Sequence, residues 1–534
     1  MRRATTKNAK VRIGRRKFVK LAASTVTATV ATRAMAQVKT PSTTAATTAP
    51  TTQPLHPLAN GEPLCAQFQP YPGGTAAYLQ KLIAQRGVDV FKIRPIEIEP
   101  WNGPIPTAEE GIAFLPVHRL ANLIQSQKLS SAELTRIYLD RLKRLDPQLL
   151  CAVTIMEKMA IDEAKKADEE IKAGKYRGAL HGIPYGLKDL FSARGVPTTW
   201  GAKEFAERVI DEDAEIVVRL RNAGAVLIAK LATGRFALGD QWYRGRTNNP
   251  WNLEQGSSGS SAGPASATMA GCVAFGIGTE TRGSIVSPAV RCGASALRPT
   301  FGRVSRHGGM VLSWSMDRVG PICRCIEDCA LVFNAIHGAD EKDPSTITTP
   351  FEWQRDVDLS KLRIGYDAQA PKAFVEKLRE LGANPKRIGP KPSFRGVDVL
   401  DTEAAAAFDA MFSAGVLRDD ETKEKTGRFS RCRTVTALDY IQAQRRRQII
   451  NREMGEMMKD FDLYASGSGD VVLTSLTCNP AAVLPWSFGE GEKGQPICTT
   501  LIGGLFADDK ILSVAQAYQR GTHWHEKRPK MATG

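Results

Sequence analysis

The sequence predicts an α/β protein. Two stretches carry the prediction. In residues 214–231, Ile216, Val217 and Leu220 recur at helical spacing, and Gly224 then introduces the run Ala225-Val226-Leu227-Ile228-Ala229-Lys230, short and apolar enough for a buried strand. In residues 181–191, glycines and Pro184 punctuate another short apolar run, Ile183-Pro184-Tyr185-Gly186-Leu187, which ends in Lys188-Asp189. Helices and buried strands in alternation call for a layered sheet rather than a bundle.

The remaining elements follow in chain order. Residues 1–36 hold ten Lys and Arg and no Asp or Glu. Arg15-Arg16-Lys17-Phe18-Val19-Lys20 resembles a twin-arginine export consensus. The weakly apolar run of residues 21–34 is too short and too rich in hydroxyls to span a membrane. Ala34-Met35-Ala36 fits a small-x-small cleavage site, so residues 1–36 are expected to be a signal peptide read by the twin-arginine export machinery, and the mature protein to be periplasmic or extracellular. Residues 37–57, rich in Thr, Pro and Ala, read as a linker that cannot bury a core. Residues 58–109 read as a wrapped extension, with a helix over 78–84 and a strand within 88–98; Pro95, Pro100, Pro104 and Pro106 keep it irregular.

One large domain is expected over 110–530. Ser130-Ser131-Ala132-Glu133 has capping-box form, and Leu134, Ile137, Tyr138, Leu142 and Leu145 continue it as a helix that Asp146-Pro147 ends. A charged helix over 158–173 stops at Gly174. Further on, helices are expected over 326–336, 436–459 and 510–520, with strands at 362–366 and 501–504. Residues 340–425 are otherwise weakly patterned. Arg445, Arg446 and Arg447 read as a solvated helix face.

Composition excludes several function classes. At 42% hydrophobic and 24% charged, the 534 residues are those of a soluble globular protein. The net charge of +16 is mostly that of residues 1–36, and the mild excess left over is no nucleic-acid footprint. Ten cysteines without a Cys-x-x-Cys pair, and seven histidines without a His-x-x-x-His pair, give no metal motif. Cys323, Cys325 and Cys329 are expected to pack, and His523 and His525 to be surface or packing residues rather than ligands. No cofactor is expected.

The chemistry is expected in residues 256–300. Gly256-Ser257-Ser258-Gly259-Ser260-Ser261-Ala262-Gly263 leads through a small-residue run to Gly276-Ile277-Gly278-Thr279-Glu280-Thr281-Arg282-Gly283-Ser284 and on to Leu297-Arg298-Pro299-Thr300. A linker would not be flanked by Cys272-Val273-Ala274-Phe275. A phosphate loop would show Gly-Lys-Ser/Thr, and a Gly-x-Ser-x-Gly elbow would not place Ile285 and Val286 after Ser284. Lys188, between Leu187 and Asp189, reads locally either as a strand-end lysine paired with Asp189 or as a buried base.

These runs, together with Gly302-Arg303-Val304-Ser305, Asp317-Arg318-Val319-Gly320-Pro321 and Glu327-Asp328, resemble the amidase signature family over roughly residues 110–530. The resemblance implies a large mixed central β-sheet covered by helices on both faces. It also implies a Ser–cis-Ser–Lys triad, with Ser284 as nucleophile, Ser260 as the bridging serine and Lys188 as base. Ser261, Ser257 and Ser258 compete for the bridging role. The backbone N–H groups around Thr281, Arg282, Gly283 and Ser284 would hold the oxyanion. The implied activity is hydrolysis of a small-molecule carboxamide to a carboxylate plus ammonia or an amine. The triad-bearing subunit of a glutamine-dependent tRNA amidotransferase, and a non-catalytic binding protein of the same fold, are the alternatives. Arg282 stands where the family has glycine and Val286 where it often has arginine.

Overall fold

The computed structural model describes residues 74–416, 432–468, 470–490 and 494–530. The expected signal peptide, the linker, the first part of the extension and Gly469 lie outside the described residues.

The framework is one sheet of eleven strands. In chain order they are β1 (Ala152–Ile155), β2 (Pro184–Lys188), β3 (Val226–Leu231), β4 (Phe275–Glu280), β5 (Ser295–Arg298), β6 (Arg318–Cys323), β7 (Ile364–Tyr366), β8 (Lys386–Arg387), β9 (Leu463–Ser466), β10 (Ala481–Phe488) and β11 (Pro496–Gly503). Their order across the sheet is β1-β3-β2-β4-β6-β5-β10-β11-β9-β7-β8. Pairing is mixed. β2 runs parallel to both β3 and β4, whereas β6 lies antiparallel to β4 and to β5. β2, β3 and β6 are buried at every position, as expected of strands covered on both faces. Three parallel neighbours therefore end at the same edge of the sheet, where Lys188, Leu231 and Glu280 are the last residues. In open α/β sheets that edge is where ligands bind.

Several helices form as their sequences predict. Ser130 caps Ser131–Leu149, its side chain accepting the Glu133 N–H. Glu157–Lys172 stops before Gly174, whose φ is 75°. Ile326–Ile336 matches its expected bounds, and Asp508–Arg520 turns Ile511, Leu512, Ala515 and Tyr518 inward. Among the described residues no helix is long and apolar enough to cross a membrane.

The structure corrects four expectations. Residues 88–98 contain no strand; Val88–Phe91 is a single 3-10 turn. The helix does not end at Asp146-Pro147 but runs through Pro147 to Leu149. Leu150 then turns left-handed (φ 48°), and the Asp146 carboxylate accepts the N–H groups of Cys151 and Ala152. Within 340–425 the described residues hold the helices Lys372–Glu380 and Leu400–Ser413. Arg447 is not solvated: it is fully buried, donating to the Leu476 carbonyl and to Ser315.

Candidate active site

Helix Ala262–Met269 is buried along its whole length. Its small residues let it lie close against the sheet, and Gly278 of β4 is part of that fit. A Cβ on Gly278 would come within 2.8 Å of Ser261 Oγ. Ser260 and Ser261 stand at the start of this helix, and the Gly259–Ser260 peptide is cis. Gly259 packs so tightly on the chain at Gly239 that a Cβ would lie 1.9 Å from the Gly239 carbonyl oxygen.

Lys188 reaches this corner from the end of β2 and is completely buried. It makes no pair with Asp189, whose carboxylate instead accepts from Lys230 Nζ at 2.6 Å and from the Thr199 N–H. Lys188 Nζ donates to Ser260 Oγ (2.8 Å), Ser261 Oγ (3.1 Å) and Thr279 Oγ1 (2.7 Å). Burial holds its ammonium well below the usual lysine range, and the nearby Asp317 and Glu280 charges only partly oppose this.

The candidate bridging serines differ in what else they hold. The Ser261 hydroxyl donates to the Thr279 carbonyl (3.0 Å) and accepts the Thr279 N–H (3.1 Å), which ties the helix to β4. Ser257 bonds the Ser258 carbonyl, and the Ser258 N–H bonds Asp240. Neither of these two touches Lys188. The Ser260 hydroxyl has Lys188 alone as a partner among the described residues.

Ser284 lies on the turn after β4 and is partly exposed. Its carbonyl accepts the Ser261 N–H at 3.1 Å, which places the turn against the serine pair. The consecutive N–H groups of Thr281, Arg282, Gly283 and Ser284 have no acceptor among the described residues. Gly283 has φ 93°, a conformation that suits glycine and aims successive N–H groups to one side. The next two N–H groups, of Ile285 and Val286, both donate to Glu280 Oε2 at 2.8 Å. Glu280 Oε1 in turn accepts from Arg298 (2.9 Å), and both residues are fully buried. Burial alone would raise the Glu280 carboxyl, but the charges of Arg298 and Arg318 and the Val286 N–H outweigh it and hold it low. Thr281 Oγ1 donates to Asp317, which also accepts the N–H groups of Leu312 and Ser313. Beside Thr279 and Thr281 opens a cavity of about 510 Å³, walled by Phe191, Ala237, Met310 and Trp314 among others.

This arrangement sits in a chain whose relatives are recognisable. The Amidase family profile matches residues 133–469. The chain belongs to the amidase family. Over 78% of its length it is 31% identical to 99% of a glutamyl-tRNA(Gln) amidotransferase subunit of Marinomonas sp. (strain MWYL1). It is 31% identical over 77% of its length to 97% of the same-named subunit from Methylococcus capsulatus. The peptide amidase of Stenotrophomonas maltophilia superposes with a TM-score of 0.70 at 27% identity, covering 80% of this chain and 99% of that one. The protein is thus an amidase-family hydrolase, and its eleven-stranded mixed sheet with surrounding helices is the fold of that family.

Some residues at the site carry no sequence assignment. Thr279, Glu280, Arg298 and Asp317 are all in the quoted motifs, yet periodicity says nothing about them. A carboxylate in a glycine-rich turn was the available signal, since a buried one requires a cation, and Arg298 supplies it. Elsewhere the structure brings His118 to Cys325 and Asp328, a His–Cys–Asp group that sequence spacing does not suggest. Asp328 there accepts the N–H groups of Val117 and His118 and the His118 ring, and so caps helix Val117–Gln125. Cys323, Cys325 and Cys329 are buried, and burial pushes their thiols up.

Proposed function

We propose that the protein hydrolyses a carboxamide through a serine acyl-enzyme, with Lys188, Ser260 and Ser284 in the roles of base, relay and nucleophile. The observation that carries this reading is the contact between a completely buried lysine and a serine hydroxyl with no other partner among the described residues. A lysine is a base only when neutral, and burial favours the neutral amine. Lys188 takes the Ser260 proton as Ser260 takes that of Ser284, and Ser284 Oγ bonds the amide carbon. The N–H groups of the 281–284 turn, unpaired among the described residues, donate to the oxyanion, each such donor being worth about 3 kcal/mol. The relay in reverse delivers a proton to the departing ammonia or amine. Water then enters and gives a proton to the relay as its oxygen bonds the acyl carbon; Ser284 Oγ takes that proton as its bond to the carbon breaks, and the carboxylic acid leaves and ionises. Ser261 is bound on both sides to β4 and serves to position the helix.

A serine-reactive fluorophosphonate tests the assignment. The wild type should label at Ser284 and the Ser284→Ala variant should not; equal labelling of the two would overturn it. The names of the relatives frame the substrate test. Peptide amides, aryl amides and aliphatic amides belong in one panel with glutamine. Turnover of glutamine alone, raised by charged tRNA and a partner protein, would favour the amidotransferase reading. We also propose export through the twin-arginine route. Mass spectrometry of the secreted fraction should find Gln37 as the first residue, and a start at Met1 there would refute it.

A further inference from the structure

A second cavity, of about 540 Å³, opens away from the 281–284 turn. It lies beyond the Cys323 end of β6. The other end of that strand, Arg318, pairs with Glu280, so five residue steps, roughly 17 Å at 3.3 Å each, separate the two places. Arg119, Arg324, His525, Lys527 and Arg528 line the cavity together with the aromatic rings of Trp101 and Phe114.

The charge there is unbalanced. Three carboxylates line the cavity, and each is engaged. Glu327 and Glu99 face Arg355, at 2.7 and 3.8 Å, and Glu526 faces His523 at 2.9 Å. Arg119, Arg324, Lys527 and Arg528 have no ion-pair partner among the described residues. Arg324 is buried and donates to the carbonyls of Thr268, Val273 and Leu115, which satisfies its Nη groups without neutralising it. Its Nε is buried and has no partner among the described residues, and neither has Nδ1 of His525. Guanidinium groups stack on the rings: Arg528 and Arg324 at 4.8 and 6.0 Å from Phe114, and Arg119 at 5.6 Å from Trp101. Arg528 is exposed, yet partial desolvation and then the Arg324 charge beside it push it below its ordinary value, against the opposing charges of Glu110 and Glu526.

Like charges held together around aromatic rings, with the unpaired buried Nε–H of Arg324 among them, are stabilised by an anion. The volume is that of a small-molecule site. We infer that this cavity binds a small organic anion, a carboxylate or phosphate ester with a planar apolar body, apart from the amide site. The anionic group meets Arg119, Arg528 and the Arg324 Nε–H, and the flat body lies along Phe114 and Trp101.

Isothermal titration calorimetry of the full chain with phenyl phosphate, benzoate, inorganic phosphate and benzylamine tests this. Phenyl phosphate and benzoate should bind, inorganic phosphate more weakly, and benzylamine not at all. Added salt should weaken the binding. Arg119→Ala with Arg528→Ala should weaken phenyl phosphate at least about tenfold, as the loss of charged hydrogen bonds implies, and Arg→Lys at both positions should restore part of it. Phenylglyoxal modification of Arg528, followed by peptide mass spectrometry, needs no variant; phenyl phosphate should slow it. Absence of anion binding at low ionic strength would overturn the inference. So would undiminished binding by the double variant, or an Arg528 that phenyl phosphate leaves unprotected.

Discussion

Lys188→Met separates the chemistry of the buried lysine from its effect on the fold. Methionine nearly preserves the shape, removes the amine and leaves Ser260 without its partner. General base catalysis contributes about 10²- to 10⁴-fold, so kcat/KM on any amide turned over by the wild type should fall by that much, about 3–5 kcal/mol in the barrier. Stability should respond differently. The folded-state pKa of Lys188 lies well below its unfolded value near 10.5. Between the two, the unfolded chain binds more protons than the folded one, so this group makes stability rise with pH. Its contribution is complete above the unfolded pKa and is lost as pH falls to the folded one. The slope reaches about 1.4 kcal/mol per pH unit inside that window. Lys230 is buried and lowered too, so the comparison must be between wild type and variant. Urea denaturation from pH 7 to 10 should show a shallower rise for Lys188→Met. Equal slopes, together with activity within tenfold of wild type, would refute both the buried charge and the base.

Three further substitutions test the surroundings. Thr279→Val removes an acceptor that favours the charged lysine, so the acid limb of the pH–rate profile should move to lower pH; an upward move would contradict the contact. Glu280→Gln leaves Arg298 buried without its counter-ion, and denaturation midpoints should register a loss of about 3 kcal/mol along with a fall in kcat. Gly259→Ala should destabilise by about 1–3 kcal/mol and reduce fluorophosphonate labelling, because its Cβ would meet the Gly239 carbonyl. Gly389→Ala, with nothing within 4 Å of the new atom, is the matched control and should stay within about 0.5 kcal/mol of wild type.

Local patterns were readable in the sequence, and distant partners were not. Glu215–Asn222, Val226–Leu231 and Ile326–Ile336 carry dense apolar spacing, and they fold as read. Leu400–Ser413 escaped because four consecutive alanines give almost no periodic contrast. β10 escaped because Pro485 looks like a break; the strand accommodates it with a register shift between Pro485 and Ser487. Arg447 looked solvated because its partners, Ser315 and Leu476, are 132 and 29 residues away. At the site, the resemblance singled out Lys188, Ser260 and Ser284, and the structure brings Lys188 to Ser260 and the Ser284 turn to Ser261. Local sequence could not say that Lys188 turns from Asp189, since that depends on Lys230 of β3 claiming the carboxylate.

The brace behind the Ser284 turn also sets a timetable. Glu280 is held by Arg298, and Arg298 donates onward to Thr474 Oγ1 (2.8 Å) and the Asn479 carbonyl (2.9 Å). All three residues named for the relay are translated before residue 285, yet the anchor of the turn waits for residues beyond 473. β5 likewise has β6 on one side only, and lacks its second neighbour until β10 is made. A nascent chain carrying every reactive group should therefore stay inert until residues 474–479 have emerged. The same wiring makes the two halves of the chain natural candidates for a split enzyme, silent apart and active only when rejoined.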